Sequence, residues 1–150
     1  MMRSLPFLAM AWLVAGCAGN DAASSDPEVL IRISNARAEP LQCRMMFGHW
    51  TDRDLGLATI GGGTETGISV KVQQQPKDGA LYVMRSDGAR RMMVENIFCA
   101  RPDDWQATVG QIDLAVVRTG RPKEVWISCA LPESGGRVTC TAPKLWVDAQ

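Results

Sequence analysis

A two-residue alternation begins at Val-Leu-Ile-Arg-Ile-Ser, residues 29–34, and returns at Leu-Gln-Cys-Arg-Met-Met-Phe-Gly, residues 41–48. Side chains of a β-strand point alternately to its two faces, so this period predicts half-buried strands rather than helices. The side chains expected to face the core are those at the odd positions: Val29, Ile31, Ile33, Leu41, Cys43, Met45 and Phe47. The two stretches therefore indicate a β domain that begins near Glu28.

The same period continues along the chain, with turn residues between the apolar runs. It predicts further strands at 68–72, at 80–84, from about 91, at 125–131 and at 137–141. Asp87-Gly88 is typical of a hairpin turn, and Glu95-Asn96 interrupts the alternation, which indicates a bulge or a break. Residues 112–117 fit both a strand and a helical face, and we favour the strand.

The number and spacing of these strands set the expected architecture. About eight short strands predict an all-β fold, either an antiparallel β-sandwich of the immunoglobulin-like kind, which we favour, or a small β-barrel. A chain of 150 residues suffices for one sizeable core, so we expect a single β domain over residues 28–150.

Four cysteines lie within this domain: Cys43, Cys99, Cys129 and Cys140. An even number of cysteines in an exported chain favours disulfides. Cys129 and Cys140 share the apolar parity of the 125–141 hairpin, so we predict the pairs Cys129–Cys140 and Cys43–Cys99. Zinc is disfavoured, because the chain has no Cys-x-x-Cys pair and only one histidine. The same absence argues against thioredoxin-like redox chemistry and covalent haem.

The first residues differ in composition from the β domain. A short basic start precedes an uncharged apolar run over residues 5–15. This run is too short to cross a bilayer, which needs about 20 apolar residues. Residues 1–16 are therefore predicted to be a secretory signal peptide.

The sequence Val14-Ala15-Gly16-Cys17, at the end of this run, resembles the lipobox of bacterial lipoproteins. The resemblance implies cleavage before Cys17 and lipidation of that cysteine. With Ala18 as the next residue, it also implies sorting to the outer membrane, facing the periplasm. Residues 17–27 are small and polar and are predicted to form the lipidated cysteine and a flexible tether.

Charge and catalytic motifs exclude several functions. Sixteen basic and sixteen acidic residues give a formal net charge of zero, so we expect no nucleic-acid partner. A hydrolase of the serine or cysteine type needs a histidine base, and the chain offers only His49 and no Gly-x-Ser-x-Gly elbow. His49 is in phase with Met45 and Phe47, which favours a structural place at the end of a core strand.

Copper binding is the functional alternative for His49. Methionine thioethers are soft ligands that suit Cu(I), and four of them occur nearby in the strand pattern: Met45, Met46, Met92 and Met93. If Cys43 and Cys99 lie opposite each other on antiparallel neighbours, the register places His49 opposite Met93. Methionine more often fills cores, so we predict no metal or other cofactor.

Two carboxylate pairs each lie next to a tryptophan, Asp52/Asp54 beside Trp50 and Asp103/Asp104 beside Trp105. Two acids near an aromatic platform are compatible with a glycan site. Acids at turns more often cap and solubilise loops, and we favour that interpretation. The charges of Arg85, Arg90 and Arg91, which flank another turn, are likewise interpreted as a solvated surface.

Residues 78–83, Asp-Gly-Ala-Leu-Tyr-Val, resemble the small-Gly-x-x-Tyr stretch of membrane-bound lysozyme inhibitors, although Asp78 stands where those proteins have serine. The resemblance implies a disulfide-bearing β-barrel lipoprotein whose Tyr82 loop inserts into an enzyme cleft. It supplies the second functional hypothesis, inhibition of a cell-wall hydrolase such as lysozyme. The leading hypothesis is a non-enzymatic binding or structural module, anchored in the envelope by its lipid, whose partner is an envelope protein or glycan.

Overall fold

The computed structural model of the protein describes residues 26–48, 55–85, 88 and 90–146. Strands dominate these residues, and the predicted all-β fold is confirmed. The elements are, in chain order, β1 (Glu28–Asn35), β2 (Leu41–Phe47), β3 (Leu55–Ile60), β4 (Gly63–Gln74), β5 (Leu81–Met84), β6 (Arg91–Ala100), α1 (Trp105–Thr108), β7 (Gly110–Ile112), α2 (Ala115–Gly120), β8 (Glu124–Ala130), β9 (Thr139–Cys140) and β10 (Lys144–Trp146).

The strands join in a single open sheet in the order β10-β8-β1-β4-β5-β6-β2-β3, with β7 beside β6 and β9 beside β8. Its two halves are continuous, because β6 pairs with β5 through residues 91–93 and with β2 through residues 94–100. The pairing of β1 with β8 is parallel, so the sheet is mixed. The sequence predicts a wholly antiparallel sandwich or barrel, since local hairpin signals carry no information about strands that pair from opposite ends of the chain.

One apolar cluster contains the inward side chains of both halves of the sheet. The two helices have only four and six residues, too few to cover ten strands, and strands of the two halves contact each other instead, β3 with β4 and β7 with β9. All seven odd-position residues that the alternation in β1 and β2 assigns to the core are buried. The parity prediction for these two strands is confirmed.

Both predicted disulfides are present. Cys43 and Cys99 lie directly opposite each other on β2 and β6, with 4.1 Å between their Cα atoms. Cys129 and Cys140 lie opposite each other on β8 and β9, with 4.0 Å between their Cα atoms. These short Cα separations are typical of non-hydrogen-bonded antiparallel pairs, in which opposed side chains come closest.

The predicted interruption in β6 is a β-bulge. Met46 pairs with Asn96, but the next residue of β2, Phe47, pairs with Val94, which leaves Glu95 without a cross-strand partner in this ladder. The extra residue reverses the parity of β6, so Val94 on one side of the bulge and Ile97 on the other both point inward.

Residues 112–117 form only the end of β7 and the start of α2, so the favoured prediction of a strand there is wrong. Asp113 accepts a hydrogen bond from the backbone N–H of Ala115, 2.9 Å away, which starts the helical turn. Leu114 and Val117 then point into the core at a helical spacing of three. The sequence analysis also did not predict the short elements β3, β10 and α1.

Residues 1–25, with the predicted signal peptide and Cys17, lie outside the described residues. His49, Trp50, Asp52 and Asp54 lie outside them as well. Among the residues that are described, no helix is long and apolar enough to cross a membrane.

Candidate functional site

The outer face of β10, β8, β1 and β4 carries the side chains that alternate with the buried ones. Cross-strand partners form a row across these four strands, made up in order by Lys144, Trp126, Arg32 and Ser69. The neighbouring row on β8, β1 and β4 is Ser128, Ser34 and Gly67. One aromatic, two cationic and several hydroxyl side chains therefore share one surface.

Two tryptophans stand out from this surface. Trp126 is 50% exposed and Trp146 is 67% exposed. Trp146 pairs with Glu124, two residues before Trp126, so the two rings are diagonal neighbours on adjacent antiparallel strands. Large apolar side chains exposed together mark interaction surfaces more often than singly scattered ones do.

Between and beside these rings lies a groove of about 610 Å³, within the range of roughly 300–1,000 Å³ typical of ligand sites. We call it the tryptophan groove. Its lining residues are Arg32, Ile33, Ser34, Gly67, Ile68, Ser69, Trp126, Ile127, Ser128, Thr141, Lys144 and Trp146. Four of these carry hydroxyls and two carry positive charges, and none of the described lining residues is acidic.

Arg32 holds the ring of Trp126 in place. Its guanidinium carbon lies 5.0 Å from the centre of the indole ring, within cation–π distance. Its Nε forms an ion pair with Glu124, and its Nη1 donates to Ser69 Oγ over 3.4 Å. The Trp126 cluster, formed by Trp126, Arg32 and Glu124, therefore presents a half-exposed ring in a fixed orientation.

A second group on the outer face has the same composition. The Tyr82 cluster is formed by Tyr82 on β5, Arg91 on β6 and Asp26, which precedes β1. The Arg91 guanidinium lies 4.5 Å from the ring centre of Tyr82, and Arg91 Nη1 is 3.4 Å from Asp26 Oδ2. The Tyr82 hydroxyl donates to the same carboxylate oxygen over 2.5 Å. Burial raises the pKa of Tyr82, and the hydrogen bond to Asp26 raises it further.

Tyr82 is only 1% exposed, because the beginning of the described chain covers it. Besides the Asp26 contact, the Pro27 carbonyl accepts a hydrogen bond from the backbone N–H of Gln74 over 2.9 Å. Both covering residues come from the segment that the sequence assigns to the flexible tether. In this arrangement Tyr82 is not available to insert into an enzyme cleft, which corrects the role that the resemblance implies for it.

The register does not support the copper hypothesis. Cys43 and Cys99 do lie opposite each other, as the hypothesis requires, but the bulge at Glu95 shifts the pairing beyond them. Met93 consequently lies beside Gly48, whose N–H donates to the Met93 carbonyl over 3.0 Å, whereas His49 lies outside the described residues. Met45 points into the core whereas Met93 is exposed on the outer face. Among the described residues, no three His, Cys, Asp or Glu side chains are grouped to hold a metal.

The acidic pair beside Trp105 does not form a two-carboxylate site. Asp103 is bonded to Arg101, and this hydrogen bond holds the pKa of Asp103 below its usual value. Asp104 precedes α1, and its backbone carbonyl accepts hydrogen bonds from the N–H and Oγ1 of Thr108, the last residue of that helix. Trp105 packs instead under the guanidinium of Arg44, 4.1 Å from the ring centre. The favoured interpretation of these acids as loop residues fits these contacts.

The arginines of the β5–β6 turn also have defined contacts. Arg91 stacks on Tyr82, and the backbone N–H of Arg85 donates to the Arg90 carbonyl at the base of the turn. Arg91 is therefore part of an organised cluster and more than a solvated charge.

The tryptophan groove was not predicted from the sequence, because the alternation within a strand indicates which residues reach the core and not which outward residues of separate strands lie together. The available signal was Trp126, which falls on the outward parity of its strand between two polar outward residues, Glu124 and Ser128. No family model, curated protein sequence or solved structure matches this chain.

Proposed function

We propose that this protein is a non-enzymatic binding module, anchored in the bacterial envelope through Cys17, and that the tryptophan groove is its binding site. The observation that carries the proposal is the pair of exposed, diagonally adjacent indole rings beside a groove lined by apolar, hydroxyl and cationic side chains. Tryptophan is among the residues that contribute most to binding energy, because it offers a large apolar face with few rotatable bonds.

The rigidity of the underlying strands supports this role. The inward-facing residues of β1 and β8 that do not line the groove, such as Val29, Ile31 and Val125, are fully buried in the core. Cys129, on the same strand as Trp126, is joined to Cys140. A site on strands fixed from below loses little conformational entropy when a ligand binds.

The predicted lipid anchor at Cys17 supports the proposed location in the bacterial envelope. Residues 1–17 have the composition of a lipoprotein signal and its modified cysteine, and several acyl chains hold a protein stably at a membrane where one does not. A tether of small polar residues would leave the domain free to reach a partner close to the membrane.

The test compares retention of the full chain, purified from the envelope of a bacterial host in mild detergent, on isolated envelope fragments. We expect the double variant Trp126→Ala/Trp146→Ala to lose at least about tenfold in affinity, as removal of hot-spot side chains does. Cys17→Ser should lose membrane anchoring but keep groove binding, which separates the two parts of the proposal.

Met84→Ala and Val116→Ala are matched controls, since both side chains are 42% exposed and apolar and neither lines the groove. They should bind like the unchanged chain. Equal retention of the tryptophan double variant and the controls would refute the groove as the binding site.

A further inference from the structure

The chemistry of the tryptophan groove narrows the class of ligand. The rings of Trp126 and Trp146 offer flat π faces with negative electrostatic potential. The C–H groups on one face of a pyranose ring are weakly positive and flat enough to pack against such a ring. Two diagonal indoles at about 7–8 Å between Cβ atoms can each contact one unit of a linear sugar chain.

The floor of the groove fits the rest of a sugar. Ser34, Ser69, Ser128 and Thr141 supply hydroxyls that both donate and accept, as sugar hydroxyls do. Thr141 is fixed by two hydrogen bonds to β8: its N–H donates to the Ser128 carbonyl over 2.8 Å, and its Oγ1 accepts from the Ser128 N–H over 3.0 Å. Ser34, Ser69 and Thr141 each make one hydrogen bond within the protein and keep further donor or acceptor capacity for the hydroxyls of a ligand.

The charges of the groove select among sugars. Arg32 and Lys144 both line it, and their cross-strand partner between them is Trp126. Glu124 compensates the charge of Arg32, while Lys144 adds a further positive charge one strand away. Because none of the described lining residues is acidic, the groove complements a negatively charged substituent.

A second copy of the chain is a poorer occupant. A symmetric interface presents the same patch on both sides, so the positive charges of Arg32 and Lys144 would meet the same cationic patch of the other copy. Interface cores are also depleted of charged residues, whereas two cations lie within this groove.

We infer that the tryptophan groove binds a glycan strand whose sugar rings carry carboxylate groups, an inference that rests on the proposed function of this groove as the binding site. The rings stack on the two tryptophans, their hydroxyls bond to the serine and threonine floor, and a carboxylate pairs with Lys144.

The experiment is calorimetric titration of the full chain in detergent with two probes of four sugars each. One is a peptide-free strand of alternating N-acetylglucosamine and N-acetylmuramic acid, and the other is the N-acetylglucosamine tetramer, which lacks the lactyl carboxylates. We expect the acidic strand to bind about tenfold more tightly, as one added charge-assisted contact allows. Lys144→Gln should remove this preference while the neutral tetramer still binds.

Trp126→Ala and Trp146→Ala should each weaken both probes at least about tenfold, and Met84→Ala should weaken neither. Equal affinity for the two probes, no measurable binding, or affinity unchanged in the tryptophan variants would overturn the inference.

If the chain is retained on envelopes through the groove and protease treatment of the envelopes abolishes that retention, the partner is a protein: the glycan inference then fails and the binding module stands. If the tryptophan variants change neither retention nor titration, both proposals fail.

Discussion

The Trp126 cluster and the Tyr82 cluster each combine an aromatic ring, an arginine and a carboxylate, but the tryptophan ring is half exposed and the tyrosine ring is buried. In each, an arginine lies over an aromatic ring and pairs with a carboxylate from another part of the chain. Tyr82 is buried because Asp26 and Pro27 lie over its strand, whereas Trp126 is half exposed at the edge of an open groove.

The difference shows that local chemistry alone does not decide whether such a cluster is structural or binds a partner. What decides it is whether the chain itself occupies the surface. At Tyr82 the carboxylate comes from the covering segment and bonds the ring's own hydroxyl. At Trp126 the carboxylate comes from the same strand as the ring, two residues away, and the ring stays half exposed with Arg32 over one of its faces.

The largest expected effect comes from removing the disulfide that joins one strand of each cluster to a neighbouring strand. Cys99 lies on β6 with Arg91, and Cys129 lies on β8 with Trp126. On the loop-entropy account, Cys43→Ala/Cys99→Ala should lower the free energy of unfolding by about 4 kcal/mol and Cys129→Ala/Cys140→Ala by just under about 3 kcal/mol, because the two bridges close loops of different length.

Chemical denaturation of the two double variants and the unchanged chain measures both values. Thiol titration of the denatured, unreduced chain should find no free thiol among these four cysteines. A domain as stable without the 43–99 bridge as with it would contradict the account.

An intermediate effect should distinguish the two carboxylates. The Asp26 side chain in its ion pair is 9% exposed, and that of Glu124 is 27% exposed. Asp26→Ala leaves the buried Tyr82 hydroxyl without its acceptor and should cost about 1.5–3 kcal/mol, the usual range for a hydrogen bond to a charged group. Glu124→Ala breaks a more solvated ion pair and should cost less than about 1 kcal/mol.

The same denaturation measurement compares these two variants. Equal losses for Asp26→Ala and Glu124→Ala would mean that the covering segment contributes nothing beyond an ordinary surface pair. Asp26→Asn, which keeps the volume and an acceptor oxygen, should restore part of the loss.

The residues that face the core could be predicted from the sequence, whereas the side-chain clusters on the outer face could not. The buried parity of β1 and β2 follows from a period that each strand carries by itself, and the shared parity of Cys129 and Cys140 led to both disulfide pairs. The clusters depend instead on distant partners. Arg32 and Glu124 are 92 residues apart and Tyr82 and Asp26 are 56 apart, and no local pattern specifies such pairings.

The smallest effect concerns ionisation in the Tyr82 cluster. Burial and the Asp26 hydrogen bond raise the pKa of Tyr82 above its ordinary value near 10, although the charge of Arg91 acts in the opposite direction. The folded state then holds the phenolic proton more tightly than the unfolded state, so the number of bound protons is higher in the folded state between the two pKa values. This contribution to stability is fully present below about pH 10 and is lost as the pH rises through the folded pKa.

Tyr82 is the only tyrosine of the chain, so ultraviolet absorbance of the phenolate titrates it alone. We expect its midpoint in the folded protein to lie above that of the denatured protein and to fall in Asp26→Asn, because the carboxylate that opposes phenolate formation is gone. Tyr82→Phe should flatten the decline of stability above pH 10, and a folded midpoint equal to the denatured one would show that the covering segment does not shield this ring.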